Sequence, residues 1–147
     1  MRVFLTLGFL LMLFIPLQTA AQLDQHRWED RVLLVIAEND KKEAYKNQIK
    51  LLNQQKAELA DRNLVTYQLL SNGQSSCQGE IMEPIKAERI IHAYNKEANP
   101  FLLILIGKDG GVKLRSKSVV PSEDLFALID SMPMRRAEMR RKKGHKQ

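Results

Sequence analysis

The sequence predicts an α/β domain: a four-stranded mixed sheet with helices on both faces, in the element order β-α-β-α-β-β-α. Three observations predict it. Two continuous apolar runs, Val32-Leu33-Leu34-Val35-Ile36-Ala37 and Phe101-Leu102-Leu103-Ile104-Leu105-Ile106, have the length and branching of strands covered on both faces. Stretches of helical periodicity lie between the strands. Gly107-Lys108-Asp109-Gly110-Gly111 reads as a tight hairpin turn into the alternating Val112-Lys113-Leu114-Arg115, an edge strand with one wet face.

Taken in order, Arg31 opens the first strand. Tyr45, Ile49, Leu52 and Leu59 then form one helical stripe, and Asp40 with Glu43 has the spacing of a capping box. Leu64 to Leu70 is a mixed second strand, followed by a polar loop from Ser71 to Gly79. Ala87, Ile90, Ile91, Tyr94 and Ala98 make the next stripe, with Pro84 where a first helical turn tolerates it. The apolar run from Phe101 and the hairpin follow, and Lys113, Arg115 and Lys117 guard the edge. Ser122-Glu123-Asp124 caps a last helix through Leu125, Phe126, Leu128 and Ile129, and Pro133 stops it. Both helical crossovers are long enough to return the chain parallel. With the two apolar strands central, the sheet order is 2-1-3-4, the thioredoxin-like arrangement.

The chain has 147 residues, one cysteine and a formal net charge of +6. The length supports one domain with a tail. One cysteine excludes an intrachain disulfide framework and a cysteine-built zinc site. Residues 1–21 read as a secretory signal peptide: Met1-Arg2, an apolar run from Val3 to Leu17 broken by Pro16, and small residues Thr19 and Ala21 before cleavage after Ala21, with cleavage after Ala20 or an uncleaved N-terminal anchor as the alternatives. That run is too short for a stable anchor, and the mature chain holds no transmembrane span. The expectation is an exported protein, periplasmic or secreted. Residues 22–30 form a polar N-terminal segment, 31–133 the thioredoxin-like domain and 134–147 a basic C-terminal segment. The body is near neutral. The excess sits in Arg135, Arg136, Arg140, Arg141, Lys142, Lys143 and Lys146, opposed there by Glu138 alone.

Two stretches are more specific than the periodicity. One is Gly107-Lys108-Asp109-Gly110-Gly111-Val112-Lys113-Leu114-Arg115; the other is Asp130-Ser131-Met132-Pro133-Met134-Arg135-Arg136-Ala137-Glu138-Met139-Arg140. With the opening Arg31-Val32-Leu33-Leu34-Val35 they resemble a domain-of-unknown-function family of the thioredoxin/peroxiredoxin-like superfamily. That family occurs as short exported bacterial proteins and as a module of animal sushi-repeat-containing and equarin-like extracellular proteins. The resemblance covers about residues 27–140. It implies a fold and an enzyme class to test. Thioredoxin-like enzymes hold a nucleophilic cysteine just after the first strand, where a helix N-terminus lowers the thiol pKa. Here that position reads Ala37-Glu38-Asn39-Asp40-Lys41-Lys42, with no cysteine, so the redox chemistry transfers to no residue. The resemblance also implies a cis-proline at Pro100; the plainer reading is a proline ending the Asn99 loop.

The expectation is therefore a non-catalytic binding or envelope/extracellular module without a cofactor. One alternative is a weak single-cysteine thiol oxidoreductase or peroxidase using Cys77, which lies in the polar loop and otherwise reads as an incidental or intermolecular thiol. Another is a polyanion-binding protein, meeting an anionic surface or another protein through a solvated, disordered tail carrying Arg141, Lys142, Lys143 and Lys146. Asp24, His26, Glu29 and Asp30 cluster, but their spacing matches no strong metal motif. Glu88 and His92, four apart on a helix, read as a surface pair. No glycine-rich phosphate loop, paired-histidine zinc motif or Gly-x-Ser-x-Gly elbow is present.

Overall fold

A strand with no polar side chain after its first residue must be covered on both faces, and Arg31–Ala37 is buried along its whole length at the centre of the sheet. The computed structural model of the protein describes residues 23–144. The expected signal peptide at 1–21 and the tail residue Lys146 lie outside the described residues. A 3-10 turn (Asp24–His26) leads to β1 (Arg31–Ala37), α1 (Glu43–Asn53), α2 (Lys56–Asp61) and β2 (Leu64–Leu70). Then come β3 (Ser76–Cys77), β4 (Glu80–Ile81), α3 (Pro84–Tyr94), β5 (Phe101–Ile106), β6 (Val112–Ser116), α4 (Ser122–Ser131) and α5 (Pro133–Gly144).

The sheet has six strands in the order β4-β3-β2-β1-β5-β6. The expected four strands keep their relative order, and the count is corrected by β3 and β4. These two-residue strands flank Gln78 and Gly79, both with positive φ, which turn the chain back within the stretch that reads as a polar loop. They are too short to leave a period-2 pattern. β1 pairs in parallel with β2, from Arg31 opposite Leu64 to Ala37 opposite Leu70. It pairs antiparallel with β5, from Val32 opposite Ile106 to Ala37 opposite Phe101. Only the first crossover therefore returns the chain parallel to the strand it left. The hairpin forms as expected, closed by Gly107 N–H to Gly111 O at 2.9 Å, with Gly110 at φ 82°. That φ favours glycine, because a Cβ there crowds the backbone.

The alternation of β1 splits the core in two. Leu33, Val35 and Ala37 face α1, α2 and α4, meeting Tyr45, Leu52, Leu59, Leu125 and Ile129. Val32, Leu34 and Ile36 face α3 and the N-terminal turn, meeting Ala87, Ile90, Met82 and Leu23. The segment expected as polar at 22–30 thus covers the sheet with Leu23, the first of its described residues.

Several local expectations are corrected. The stripe from Tyr45 to Leu59 is two helices, because no buried side chain between Leu52 and Leu59 anchors the turn between them. The Asp40–Glu43 capping box does not form: Lys42 is the cap residue, and Asn39 Oδ1 takes the Lys41 N–H at 3.0 Å. Ser122 caps nothing; Pro121 precedes α4, and Ser122 is its buried first residue. Pro133 ends the path of α4 and also opens α5. That last helix runs to Gly144, so Arg141, Lys142 and Lys143 are helical and not a disordered tail.

Leu103 is fully buried on the α1 and α4 side, whereas Val112 is 46% exposed. In urea unfolding, Leu103→Ala is expected to cost about 2–5 kcal/mol. Val112→Ala is expected to stay within about 0.5 kcal/mol. Equal losses at the two positions would contradict the burial described.

Candidate functional site

In open α/β sheets, ligand sites form beyond the carboxyl ends of the strands. At that end of β1, Glu38 N–H donates to Pro100 O at 3.2 Å, and Asn72 N–H donates to Glu38 O at 2.7 Å. Three chain segments meet there. A cleft of about 1010 Å³ lies between them and α3, with Leu70, Met82 and Ile91 in its wall and Glu38, Glu88 and His92 among its polar groups. The two residues that read as a surface pair on α3, Glu88 and His92, therefore border a cavity.

The segment after β1 carries no nucleophile in this position. The Glu38 carboxylate pairs with Lys42 Nζ at 2.7 Å, and Asp40 is exposed. The expected cis bond at Pro100 is corrected: no cis peptide occurs among the described residues. The reversal before β5 is made upstream, where Ala98 adopts φ 51°. Asn95 fixes the loop there, accepting the Asn99 backbone N–H at 2.9 Å and donating to Asn99 O at 2.9 Å.

Cys77 stands on β3, opposite Tyr67 of β2 and Glu80 of β4. It packs on the α3 side of the sheet, whereas α1 packs on the other. The fold does not bring Cys77 to the N-terminus of α1. Burial pushes its thiol pKa up, and a Tyr67 hydrogen bond and the Lys86 charge offset only part of that rise. Burial also raises the Tyr67 hydroxyl. Behind it, His26 Nε2 lies 2.8 Å from Tyr67 Oη, and His26 Nδ1 lies 2.9 Å from Asp30 Oδ2. Both ring nitrogens are thereby engaged. Among the described residues no three His, Cys, Asp or Glu side chains gather as a metal site.

The densest chemistry lies at the opposite pole, where β1 begins. Arg31, with 1% of its side chain exposed, reaches the Glu138 carboxylate with both terminal nitrogens at 3.2 and 3.3 Å. It also donates to the Arg62 carbonyl at 2.8 Å. Lys108 meets the same Glu138 at 3.0 Å. Arg135 donates to Asp130 at 3.0 Å and to the Asp61 carbonyl at 2.8 Å, and it pairs with the Asp61 carboxylate. Arg62 joins Asp130 to Glu58 at 2.6 Å each and stacks over Phe126 at 4.4 Å. Lys142 closes the network on Asp61.

The residues that carry the family resemblance converge here. Gly107, Lys108, Asp109, Lys113, Met132, Pro133 and Met134 line one cavity with Arg31, and Arg135 and Glu138 hold the network beneath. Gly110 shapes the turn, and Gly111 N–H donates to Asp109 Oδ1 at 3.0 Å. Arg115 and Arg136 stand apart: Arg115 donates to Tyr94 O at 2.7 Å, and Arg136 is exposed. Among the expected tail cations, Lys142 is bound to Asp61, Arg141 is engaged as well and Lys143 is exposed.

Fold and network together define one mixed α/β unit whose last helix is ion-paired to its first strand. The chain belongs to the family described as Domain of unknown function (DUF4174), whose model matches residues 22–138 and so includes the whole of the 107–115 stretch and most of the 130–140 stretch. It is also similar to coiled-coil domain-containing protein 80 of Danio rerio, at 29% identity over 133 residues. That match covers 80% of this chain and 15% of the relative, so the chain spans a small part of that protein's length. No solved structure matches it.

Sequence reasoning missed Arg31, Arg62 and Gln48 as buried polar anchors. Gln48, fully buried on α1, accepts the Val120 N–H at 2.8 Å and donates to its carbonyl at 3.1 Å. A cation directly before an apolar run was the available signal for Arg31. Nothing local marks Gln48.

The network makes stability acid-labile. Asp61 is held down at about 2 by hydrogen bonds from Lys142 and Arg135. Burial pushes Asp130 and Glu138 up, but their Arg and Lys partners outweigh it and leave both lowered. With folded values below unfolded ones, this stabilisation is full above about pH 5 and is lost as pH falls towards 2. The melting temperature is expected to drop across that span and to drop less steeply in Glu138→Gln. A flat or rising profile would contradict the network. At neutral pH, Glu138→Ala is expected to cost about 3 kcal/mol, because it leaves Arg31 buried without its carboxylate.

Proposed function

We propose that this chain is an exported thioredoxin-like module that binds a ligand or partner and performs no thioredoxin-type redox reaction. The relative order β2-β1-β5-β6, with a parallel β1–β2 pair, an antiparallel hairpin and helices on both faces, supports the fold reading. The observation that carries the functional reading is the segment after β1. It holds Glu38 paired to Lys42 where such enzymes hold a thiolate, beside a cleft of about 1010 Å³. A carboxylate at that point disfavours a thiolate and suits polar recognition. The module reading draws further support from the relative, of which this chain matches 15%. Export rests on the pattern of residues 1–21.

A single-cysteine oxidoreductase is the competing reading, favoured by the line from Asp30 through His26 to Tyr67 beside Cys77. The raised thiol opposes it, since the thiolate is the nucleophile. The two separate in one assay. The chain from residue 22 onward, given hydrogen peroxide with a dithiol reductant, is expected to turn over no faster than Cys77→Ala. Turnover that disappears in Cys77→Ala would overturn the binding reading. Mass spectrometry of the processed protein is expected to find an N-terminus at Gln22; a retained Met1 would overturn export.

A further inference from the structure

We infer that the cavity under the 107–111 hairpin is a binding site for a carboxylate carried on a short apolar stem. It lies at the pole away from the cleft, so it does not depend on the reading above. The cavity measures about 260 Å³ and is lined by Arg31, Lys108, Lys113 and Asp109, with Met132, Pro133 and Met134 on the other side. That volume admits a small head group with a few methylenes and is too small for a cofactor.

Donors exceed acceptors at this site. An arginine carries five N–H donors and a lysine three. Arg31 spends its terminal nitrogens on Glu138 and the Arg62 carbonyl, and its buried Nε has no hydrogen-bond partner. That Nε has essentially no accessible surface, so the donors offered to a ligand are the ammonium groups of Lys108 and Lys113, which line the cavity. Lys108 donates to Glu138 and to Asn63 Oδ1 at 3.3 Å. Lys113 donates to Asp109 Oδ2 at 2.7 Å, and its side chain is 33% exposed.

Charge selects the ligand class. Arg31, Lys108 and Lys113 are opposed by Asp109 in the wall and Glu138 behind it, which leaves a cationic excess among these five. A monoanion matches that excess better than a phosphate dianion does. The apolar side, with Met134 39% exposed, then accepts the stem. Gly107 keeps the lysine in place: a Cβ there would lie 2.6 Å from Lys113 Cε and 2.8 Å from Asp109 Oδ1. Lys113 therefore crosses over Gly107, and a side chain at that position displaces it from the cavity.

The carboxylate belongs either to a free short-chain acid or to an acidic side chain of a peptide. Amide chemical shifts of the chain from residue 22 onward distinguish them, titrated with propionate and with a blocked peptide containing one glutamate. Propionamide, and sodium chloride at matched ionic strength, are the controls. Shifts at 107–113 and 131–134 with both ligands, or with either one, and with neither control, support the site and name its source. Loss of one charge-assisted hydrogen bond is expected to weaken binding about tenfold in Lys113→Gln. Lys113→Arg is expected to retain binding, and Gly107→Ala to weaken it at an unchanged melting temperature. Shifts equal to those from chloride or propionamide, or undiminished in Lys113→Gln, would overturn the proposal, as would no shift with either carboxylate.

Discussion

Arg31 sits at the head of the central strand with 1% of its side chain exposed, and the chain beyond β5 is arranged around it. A guanidinium taken out of water costs several kcal/mol unless acceptors replace its hydration. Here the acceptors come from distant places: Glu138 on α5 and the Arg62 carbonyl after α2. Glu138 must in turn be fixed, and Lys108 and Arg135 fix it from two sides. Arg135 then needs Asp130 and Asp61, and Arg62 needs Asp130 and Glu58. One buried cation thus obliges the hairpin, two helix ends and the last helix to meet at one pole. A well-packed apolar set of equal volume often does as well or better energetically, whereas removing one partner of such a network is costly.

The two poles of the sheet divide the labour. One is rigid and ionic and gathers nearly all the motif residues. The other has loops, an open cleft and few ion pairs, and it is where an α/β sheet of this kind offers room for ligands. Cys77 belongs to neither. It lies on a short strand along the flank, above Tyr67 and the His26–Asp30 pair, in surroundings that keep a thiol protonated.

Much of the fold was legible because burial is written as composition. β1 and β5 are apolar at every position after the first residue of β1, and only a strand inside the sheet meets both layers. The hairpin was legible from its glycines. What escaped was short or non-local. β3 and β4 have two residues each and are made by the left-handed turn at Gln78 and Gly79, which composition alone does not mark. Asp40, Glu43 and Ser122 had the chemistry of caps, but the helices start where tertiary packing places them. The cis bond that the resemblance suggests at Pro100 is absent, and the nearest backbone departure is the positive φ of Ala98. Glu138 meets Arg135 three residues before it on the same helix. Its stronger partners, Arg31 and Lys108, are far off in sequence and invisible to any spacing rule.

The basic end of the chain has a temporal meaning as well. Arg31 and Glu138 are separated by 107 positions. During synthesis the first strand emerges well before its counter-charge, which follows 107 residues later. Contacts at such separation form late and slowly. No N-terminal fragment that stops short of α5 can neutralise Arg31. Any longer polypeptide carrying this unit must be translated beyond Glu138 before the unit is whole.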